Sequence, residues 1–202
     1  MAAQVEGRGR QISPAVYDAL GKVPRHAFVP ETIRNRAYRN VPLPIGAGQT
    51  ISQPYIVALM TDLVGAAPAA RILEIGTGSG YKAAMLAAMG ADVYTIEIVP
   101  ELGERAAKAL AENGAISVKT RIGDGYAGWP EAAPFDGIIV TAAPDHLPPP
   151  LIDQLKVGGR LVIPVGPENA TQRLLTMRKK DDGTLDQQMV IPVGFVPLTR
   201  EK

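Results

Sequence analysis

The sequence predicts an α/β fold built on a doubly wound, mostly parallel, seven-stranded Rossmann-like sheet with an N-terminal helical extension. From Arg71 onward, short apolar runs alternate with helical segments, and this alternation implies parallel strands joined by crossover helices. The last two strand candidates, 173–180 and 187–198, flank a turn at 181–184. A final hairpin is therefore expected to add antiparallel strands at one side of the sheet.

The individual elements follow from start and stop signals. Ser13 and Pro14 predict a helix N-terminus, since Ser favours the N-cap and Pro the first helical position. Pro54 opens a second helix with one buried face, and a glycine ends each of two later helices. Residues 1–11 are expected to be loose, and residues 23–48 to form loops and turns. The predicted helices are 14–20, 54–64, 81–90, 100–114 and a short one within 147–159, and the strands before the hairpin are 71–75, 93–97 and runs within 118–125, 136–143 and 160–166.

Size and composition are those of one globular domain. The 202 residues are 46% hydrophobic and 20% charged, which is ordinary for such a protein. We expect a single domain over 1–202, with an N-terminal extension at 1–64, a cofactor-binding core at 65–170 and C-terminal strands at 171–202. The net charge of +1 and the scattered basic residues give no electrostatic basis for nucleic-acid or membrane binding. There is no cysteine, and neither a secretory signal nor a membrane-length apolar run is found, so a cytoplasmic protein is expected.

The strongest local motif is a run of glycines at alternate positions between a predicted strand and a predicted helix. Glycine lets the backbone approach a ligand closely, and a turn before a helix N-terminus is typical of a nucleotide site. The dinucleotide pattern is GxGxxG, but Tyr81 stands where its third glycine would fall. The alternate spacing resembles the first motif of class I methyltransferases, although a tight turn without a ligand is the simpler alternative. The residues expected to contact the cofactor are Gly76, Thr77, Gly78, Ser79 and Gly80.

Acidic residues follow the predicted strands near this turn. Glu97 ends the second strand about twenty residues past the turn, where a carboxylate accepts ribose hydroxyls; a solvated helix-start residue is the alternative. Asp124 and Gly125 follow the third strand, where Asp124 is expected to accept from the adenine amino group unless the pair only forms a turn. Glu74 is expected either to hold the amino group of the ligand or to tie down loop amides.

The segment 42–54 is a candidate substrate loop because it is non-periodic and rich in small and polar residues. Gln49, Thr50 and Ser52 offer polar groups there. Ser52 has a structural alternative, since it lies where the N-cap of the helix opened by Pro54 would fall. The fourth strand is not followed by the Asn/Asp-Pro-Pro-Tyr/Phe motif of amino-methylating enzymes, which favours an acceptor that is already an anion, such as a carboxylate.

Segments along nearly the whole chain resemble the protein-L-isoaspartate O-methyltransferase family. The most specific is Gly-Gln-Thr-Ile-Ser-Gln-Pro at 48–54, whereas the glycine turn is generic to methyltransferases. The resembling segments are 23–30, 43–54, 73–81, 123–125, 135–144, 158–159, 164–166 and 195–198.

The resemblance implies a class I methyltransferase core that transfers a methyl group from S-adenosylmethionine to the α-carboxylate of L-isoaspartyl residues, and in some members of D-aspartyl residues. The partners would be isoaspartyl-containing proteins and peptides, with S-adenosylhomocysteine as coproduct, and the ester would collapse to a succinimide and allow repair. Ser52 aligns with the active-site serine, and Glu97 and Asp124 align with the ribose and adenine contacts. The residues implied at the substrate are Gln49, Thr50, Ile51, Val196 and Pro197.

Two departures and three alternatives accompany this interpretation. Lys82 replaces a polar uncharged residue and Tyr126 replaces a Trp that many members carry, which bears on substrate preference only. The alternatives are a methyltransferase for another carboxylate, a nucleotide-dependent oxidoreductase, and a binding module without turnover. His26 and His146 share no motif and are expected at the surface, no metal-site spacing is present, and a monomer is expected.

Overall fold

The structure, a computed structural model, describes residues 11–168 and 170–200. The segment expected to be loose, 1–11, thus lies outside the described residues except for Gln11, which is exposed. The strands are β1 (Leu43–Gly46), β2 (Gln49–Ile51), β3 (Arg71–Ile75), β4 (Asp92–Glu97), β5 (Lys119–Ile122), β6 (Phe135–Val140), β7 (Leu155–Val165), β8 (Gln172–Lys179) and β9 (Leu185–Val193).

A seven-stranded sheet in the order β5-β4-β3-β6-β7-β8-β9 forms the centre of the molecule. The first five strands in that order pair in parallel, and β8 and β9 pair antiparallel. The predicted fold class is therefore confirmed, including the antiparallel hairpin at one side. The chain runs outward from β3 to β5 and then returns to β6 on the other side of β3, so the direction of winding reverses between β3 and β6. Ligands bind at such switch points in α/β sheets.

Helices cover both faces of the sheet because alternate strand residues point to opposite sides. Ile72 packs in a core with the N-terminal helices, whereas its neighbour Leu73 packs in a second core on the other face. In the described part of the chain, no helix is long and apolar enough to cross a membrane. The helices are α1 (Pro14–Lys22), α2 (Pro54–Val64), α3 (Tyr81–Ala88), α4 (Pro100–Glu112) and α5 (Pro149–Asp153).

The segment 23–48 holds more regular structure than its sequence predicts. Two 3-10 turns, Arg25–Phe28 and Glu31–Arg36, are followed by the antiparallel hairpin of β1 and β2. Ala47 and Gly48 connect the two strands with φ of 50° and 70°. The prediction of loops is wrong at 43–46, because strands this short that contain Pro and Gly show no period that would distinguish them from a loop; residues 47 and 48 form a turn as expected.

The N-terminus of α2 is capped from a distance. Its N-cap residue is Gln53, which makes no side-chain capping bond. Instead the Oδ1 atom of Asn40 accepts from the backbone N–H of Tyr55 at 3.0 Å. The alternative that Ser52 caps this helix is therefore wrong, and no hydrogen bond joins the Ser52 hydroxyl to another described residue.

Replacing Asn40 with Ala should lower the free energy of unfolding by about 0.5–2 kcal/mol, since the first turn of α2 loses its acceptor. Asn40→Asp keeps the acceptor oxygen and adds a negative charge favourable at a helix N-terminus, so it should retain most of the stability. Urea denaturation would measure both variants. Asn35→Ala, at an exposed position, is the control, and a loss as large as that of Asn40→Ala would contradict the assignment.

Candidate active site

Two adjoining cavities lie at the carboxyl ends of the central strands. The inner pocket is bordered by the glycine turn and by the ends of β3 and β4. The outer cavity, of about 770 Å³, lies between the loop that precedes α2 and the chain that follows β9. Thr50, Ser52, Thr141 and Val196 line both. The site thus consists of two compartments with a common wall, which suits a reaction between two separately bound molecules.

The glycine turn after β3 has a backbone conformation that disfavours residues with side chains. Gly76, Gly78 and Gly80 have φ of 91°, 55° and 85°, a left-handed region that favours glycine. A Cβ at Gly76 would lie 2.5 Å from Oγ1 of Thr141, and that hydroxyl donates to the Gly76 carbonyl at 2.6 Å. The turn is therefore held against the end of β6 by a contact that only glycine allows.

Glu97 fastens the same turn from β4. Its Oε2 atom accepts from the backbone N–H of Gly78 at 2.7 Å, and its Oε1 atom accepts from that of Val99 at 3.0 Å. The N–H of Gly76 donates to the carbonyl of Ile96 at 2.9 Å. These turn amides are paired within the protein, so the glycines serve close approach rather than donation to a ligand. Glu97 also lines the inner pocket, and each carboxylate oxygen retains acceptor capacity.

Glu74 is fully buried at the end of β3 and lines the inner pocket. Its Oε2 atom accepts from the Thr95 hydroxyl at 2.7 Å, which also bonds the Thr77 hydroxyl at 2.7 Å. Burial raises the pKa of Glu74 from its ordinary range. Its Oε1 atom is buried and has no hydrogen-bond partner among the described residues. Of the two roles predicted for Glu74, the one of tying down loop amides is wrong, because no loop amide donates to its carboxylate among the described residues. The role of holding the amino group of the ligand stays a prediction.

Asp124 and Gly80 were predicted to contact the cofactor but do not line the inner pocket. The Asp124 carboxylate accepts from the N–H of Tyr126 at 2.9 Å and from the Nε of Arg200 at 2.8 Å. The Arg200 guanidinium also stacks 3.7 Å from the Tyr126 ring centroid. A Cβ at Gly80 would meet α4 at 3.3 Å, so this glycine allows helix packing. Contact between Asp124 and a cofactor remains a prediction.

The segment 42–54, called the Ser52 loop, is held by a buried cation that sequence analysis did not single out. Arg25 has no exposed surface and donates to the carbonyl of Ser52 at 2.6 Å and to that of Ala37 at 2.8 Å. Its guanidinium lies 5.0 Å from the ring centroid of Tyr81, the first residue of α3. Burial lowers the pKa of Arg25 to about 10, so it is charged at neutral pH and links the loop to the helix that follows the glycine turn.

The structure places most predicted site residues around the inner pocket. Sequence analysis missed Lys82, Thr141 and Val57 as wall residues; Lys82 was noticed only as a departure, and nothing in the local pattern marks the other two. The predicted residues that line the inner pocket are Gln49, Thr50, Ile51, Ser52, Glu74, Gly76, Thr77, Gly78, Ser79, Glu97, Gly125, Val196 and Pro197.

The two histidines do not line either cavity. His26 and His146 are exposed as expected and bond Tyr38 and Tyr126, respectively. Among the described residues, no group of three His, Cys, Asp or Glu side chains is placed to hold a metal ion.

Comparison with known proteins gives a consistent result. A family model described as protein-L-isoaspartate(D-aspartate) O-methyltransferase matches residues 1–202. The protein-L-isoaspartate O-methyltransferase of Gloeobacter violaceus is 56% identical over 199 residues, which are 98% of this chain and 96% of the relative. The Polaromonas protein-L-isoaspartate O-methyltransferase 2 is 56% identical over 187 residues, which are 93% of this chain and 89% of the relative.

Solved structures agree with the sequence comparison. One protein-L-isoaspartate O-methyltransferase superposes with a TM-score of 0.85 at 30% identity and covers 92% of this chain and 61% of its own. A Plasmodium falciparum protein described as a protein-L-isoaspartate O-methyltransferase, in complex with S-adenosyl-L-homocysteine, gives a TM-score of 0.83 at 26% identity over 98% of this chain and 96% of its own.

Gly76→Ala should reduce both stability and S-adenosylhomocysteine affinity, because the new methyl group would displace Thr141 from the turn. Gly114→Ala is the matched control, since Gly114 also has a positive φ but no atom within 4 Å of the added Cβ. Its loss should be confined to the backbone term of about 1 kcal/mol. Adding Thr141→Ala to Gly76→Ala should recover part of the loss in thermal melts, and a double variant no better than Gly76→Ala would contradict the clash.

Proposed function

Because the chain belongs to the protein-L-isoaspartate(D-aspartate) O-methyltransferase family, we propose that its inner pocket holds S-adenosylmethionine while the Ser52 loop directs the substrate carboxylate onto the methyl carbon. The chain is an S-adenosylmethionine-dependent protein carboxyl O-methyltransferase, and its substrate class is isoaspartyl-containing protein. Family membership decides against the oxidoreductase alternative. The observation that carries the proposed geometry is the common wall of the two cavities.

The transfer needs alignment more than acid–base help. A carboxylate of the α-carboxyl type has an unperturbed pKa of about 3.3–3.7 and is ionised near neutral pH, so no base must remove a proton before the oxygen attacks. The side chains that line both cavities are two threonines, one serine and one valine, none of which is an ionised base. This wall suits a displacement in which oxygen, methyl carbon and sulfur are brought into line.

Ser52 is proposed to orient the acceptor. Its hydroxyl, free of the helix-cap role, would donate to the substrate carboxylate and fix the attacking oxygen toward the donor methyl. Arg25 is proposed to position Ser52 through the backbone carbonyl. The substrate backbone would lie in the outer cavity, where Gln49, Thr50 and Ile51 approach from one side and the segment with Val196 and Pro197 from the other.

The cofactor is proposed to lie along the glycine turn. Glu97, which lines the pocket at the end of β4, would accept the ribose hydroxyls with its remaining acceptor capacity. Gly125 would leave room for the adenine ring, and Asp124 would accept from its amino group, sharing its carboxylate with Arg200. Glu74 would accept from the amino group of the methionine end through its unpartnered Oε1 atom.

The wider organisation is also proposed. Residues 1–202 would form one domain, with the substrate loop in 1–64, the S-adenosylmethionine core in 65–170 and the C-terminal strands in 171–202. One core cluster joins Ile12 of the extension to Leu174 of the C-terminal strands, which supports a single unit. We propose a cytoplasmic monomer with no nucleic-acid or membrane partner; the net charge of +1 supports only the lack of such polyanionic partners.

An isoaspartyl peptide should be methylated, whereas the same peptide with a normal aspartyl linkage should not. The proposed site would orient the free α-carboxylate of the isoaspartyl residue, whose backbone runs through its β-carbon, whereas a normal aspartyl residue offers only its β-carboxylate. Labelled S-adenosylmethionine and the two peptides would measure this, with slow methanol release expected from the ester. Equal labelling of both peptides, or of neither while a dedicated precursor is methylated, would refute the proposed substrate class.

Ser52→Ala should lower kcat by roughly 10- to 100-fold, the equivalent of one hydrogen bond to a charged group, with stability changed by less than about 1 kcal/mol because no cap is lost. Ser13→Ala is the control, since Ser13 lies outside both cavities and makes no side-chain capping bond. A sharp fall in melting temperature with unchanged specific activity of the folded fraction would make Ser52 structural.

A further inference from the structure

Lys82 is a buried cation on the wall of the inner pocket. The residue is 6% exposed and lies in the first turn of α3, just after the glycine turn. Among the described residues that line this pocket, Lys82 is the sole lysine or arginine, and it shares the wall with the carboxylates Glu74 and Glu97. Charged lysine is almost never buried without a partner, so the position calls for an anion.

The contacts within the protein do not use the Lys82 ammonium fully. Its Nζ atom donates to the carbonyl of Val57 at 3.1 Å, and that carbonyl already accepts from the Thr61 hydroxyl at 2.7 Å. An ammonium has three donors, and no ion pair joins Lys82 to Glu74 or to any other described carboxylate. Two donors are therefore available on a group that carries a buried charge.

Glu74 is a buried carboxylate with one oxygen that lacks a hydrogen-bond donor among the described residues. Its buried Oε1 atom lacks a partner, and it lines the same pocket from the other end of the glycine turn. A cation and an anion thus face one compartment without pairing to each other. Such a pair is complementary to a ligand end that carries both charges, which is the chemistry of a free amino acid.

We propose that Lys82 binds the carboxylate of the amino-acid end of S-adenosylmethionine, so that Lys82 and Glu74 together recognise this end as a zwitterion. The inference rests on the proposed function, since it assumes that the inner pocket is the cofactor site. It gives Lys82 a role in cofactor specificity, where sequence analysis connected it only with substrate preference.

The electrostatics of the inner pocket agree with this assignment. Burial lowers the pKa of Lys82, while the nearby Glu74 raises it and Arg25 lowers it. Burial also raises the pKa of Glu74. The protein's own groups therefore satisfy both residues poorly as ions. A bound carboxylate favours the ammonium form of Lys82, and a bound ammonium favours the carboxylate form of Glu74.

Calorimetry with two ligands tests the inference: S-adenosylhomocysteine and decarboxylated S-adenosylhomocysteine, which keeps the amino group and lacks the carboxylate. The wild-type protein should bind the decarboxylated ligand roughly 10- to 100-fold more weakly. In Lys82→Gln and Lys82→Met, S-adenosylhomocysteine should weaken by a similar factor while the decarboxylated ligand changes little. The ratio of the two dissociation constants should thus fall toward one.

The ratio is taken within each variant, so a partly unfolded preparation does not alter it. Lys82→Arg should keep part of the preference, and Lys108→Gln, at an exposed position of α4, should keep all of it. A wild-type ratio near one, or a ratio unchanged in both Lys82→Gln and Lys82→Met, overturns the inference while the proposed function stands. If the wild-type protein binds neither ligand, the cofactor site itself is refuted.

Discussion

The site depends on the carboxyl ends of β3 and β4 standing side by side. Their parallel register places Ile75 opposite Ile96, so the residue that follows each strand emerges at the same edge of the sheet. The 2.7 Å hydrogen bond from the Gly78 N–H to the Glu97 carboxylate then joins the glycine turn to the last residue of β4. The glycine turn and the end of β4 keep their places through this arrangement.

The fold was largely predictable from local patterns, and the site only in part. Buried parallel strands and capped helices leave a period or a terminating residue, which is why the bounds of α2 and β3 agree with expectation. The hairpin at 43–51 leaves no such period. The proposed ribose acceptor Glu97 and the glycine turn carry a spacing that the sequence shows. Arg25, in contrast, reaches Ser52 across 27 positions, and no local pattern encodes a contact of that kind.

The burial of charged residues was likewise not predictable from the sequence. Lys82 closely follows the glycine motif in sequence. Because lysine side chains are mostly exposed, the sequence alone suggests that Lys82 is solvated. Only the packing of α3 against α2, with the Val57 carbonyl at 3.1 Å, places it in the interior. Charged residues are usually expected at the surface, and here the tertiary arrangement buries the lysine instead.

The common wall has a thermodynamic consequence for the two proposed ligands. Thr50, Ser52, Thr141 and Val196 border both compartments, so a displacement of these residues by one occupant alters the surface offered to the other. Thermodynamic linkage makes this effect reciprocal. If the bound methyl donor changes the affinity for the peptide by some factor, the bound peptide changes the affinity for the donor by the same factor. If the two compartments hold donor and peptide as proposed, replacement of the spent donor and release of the esterified peptide are coupled whenever this factor differs from one.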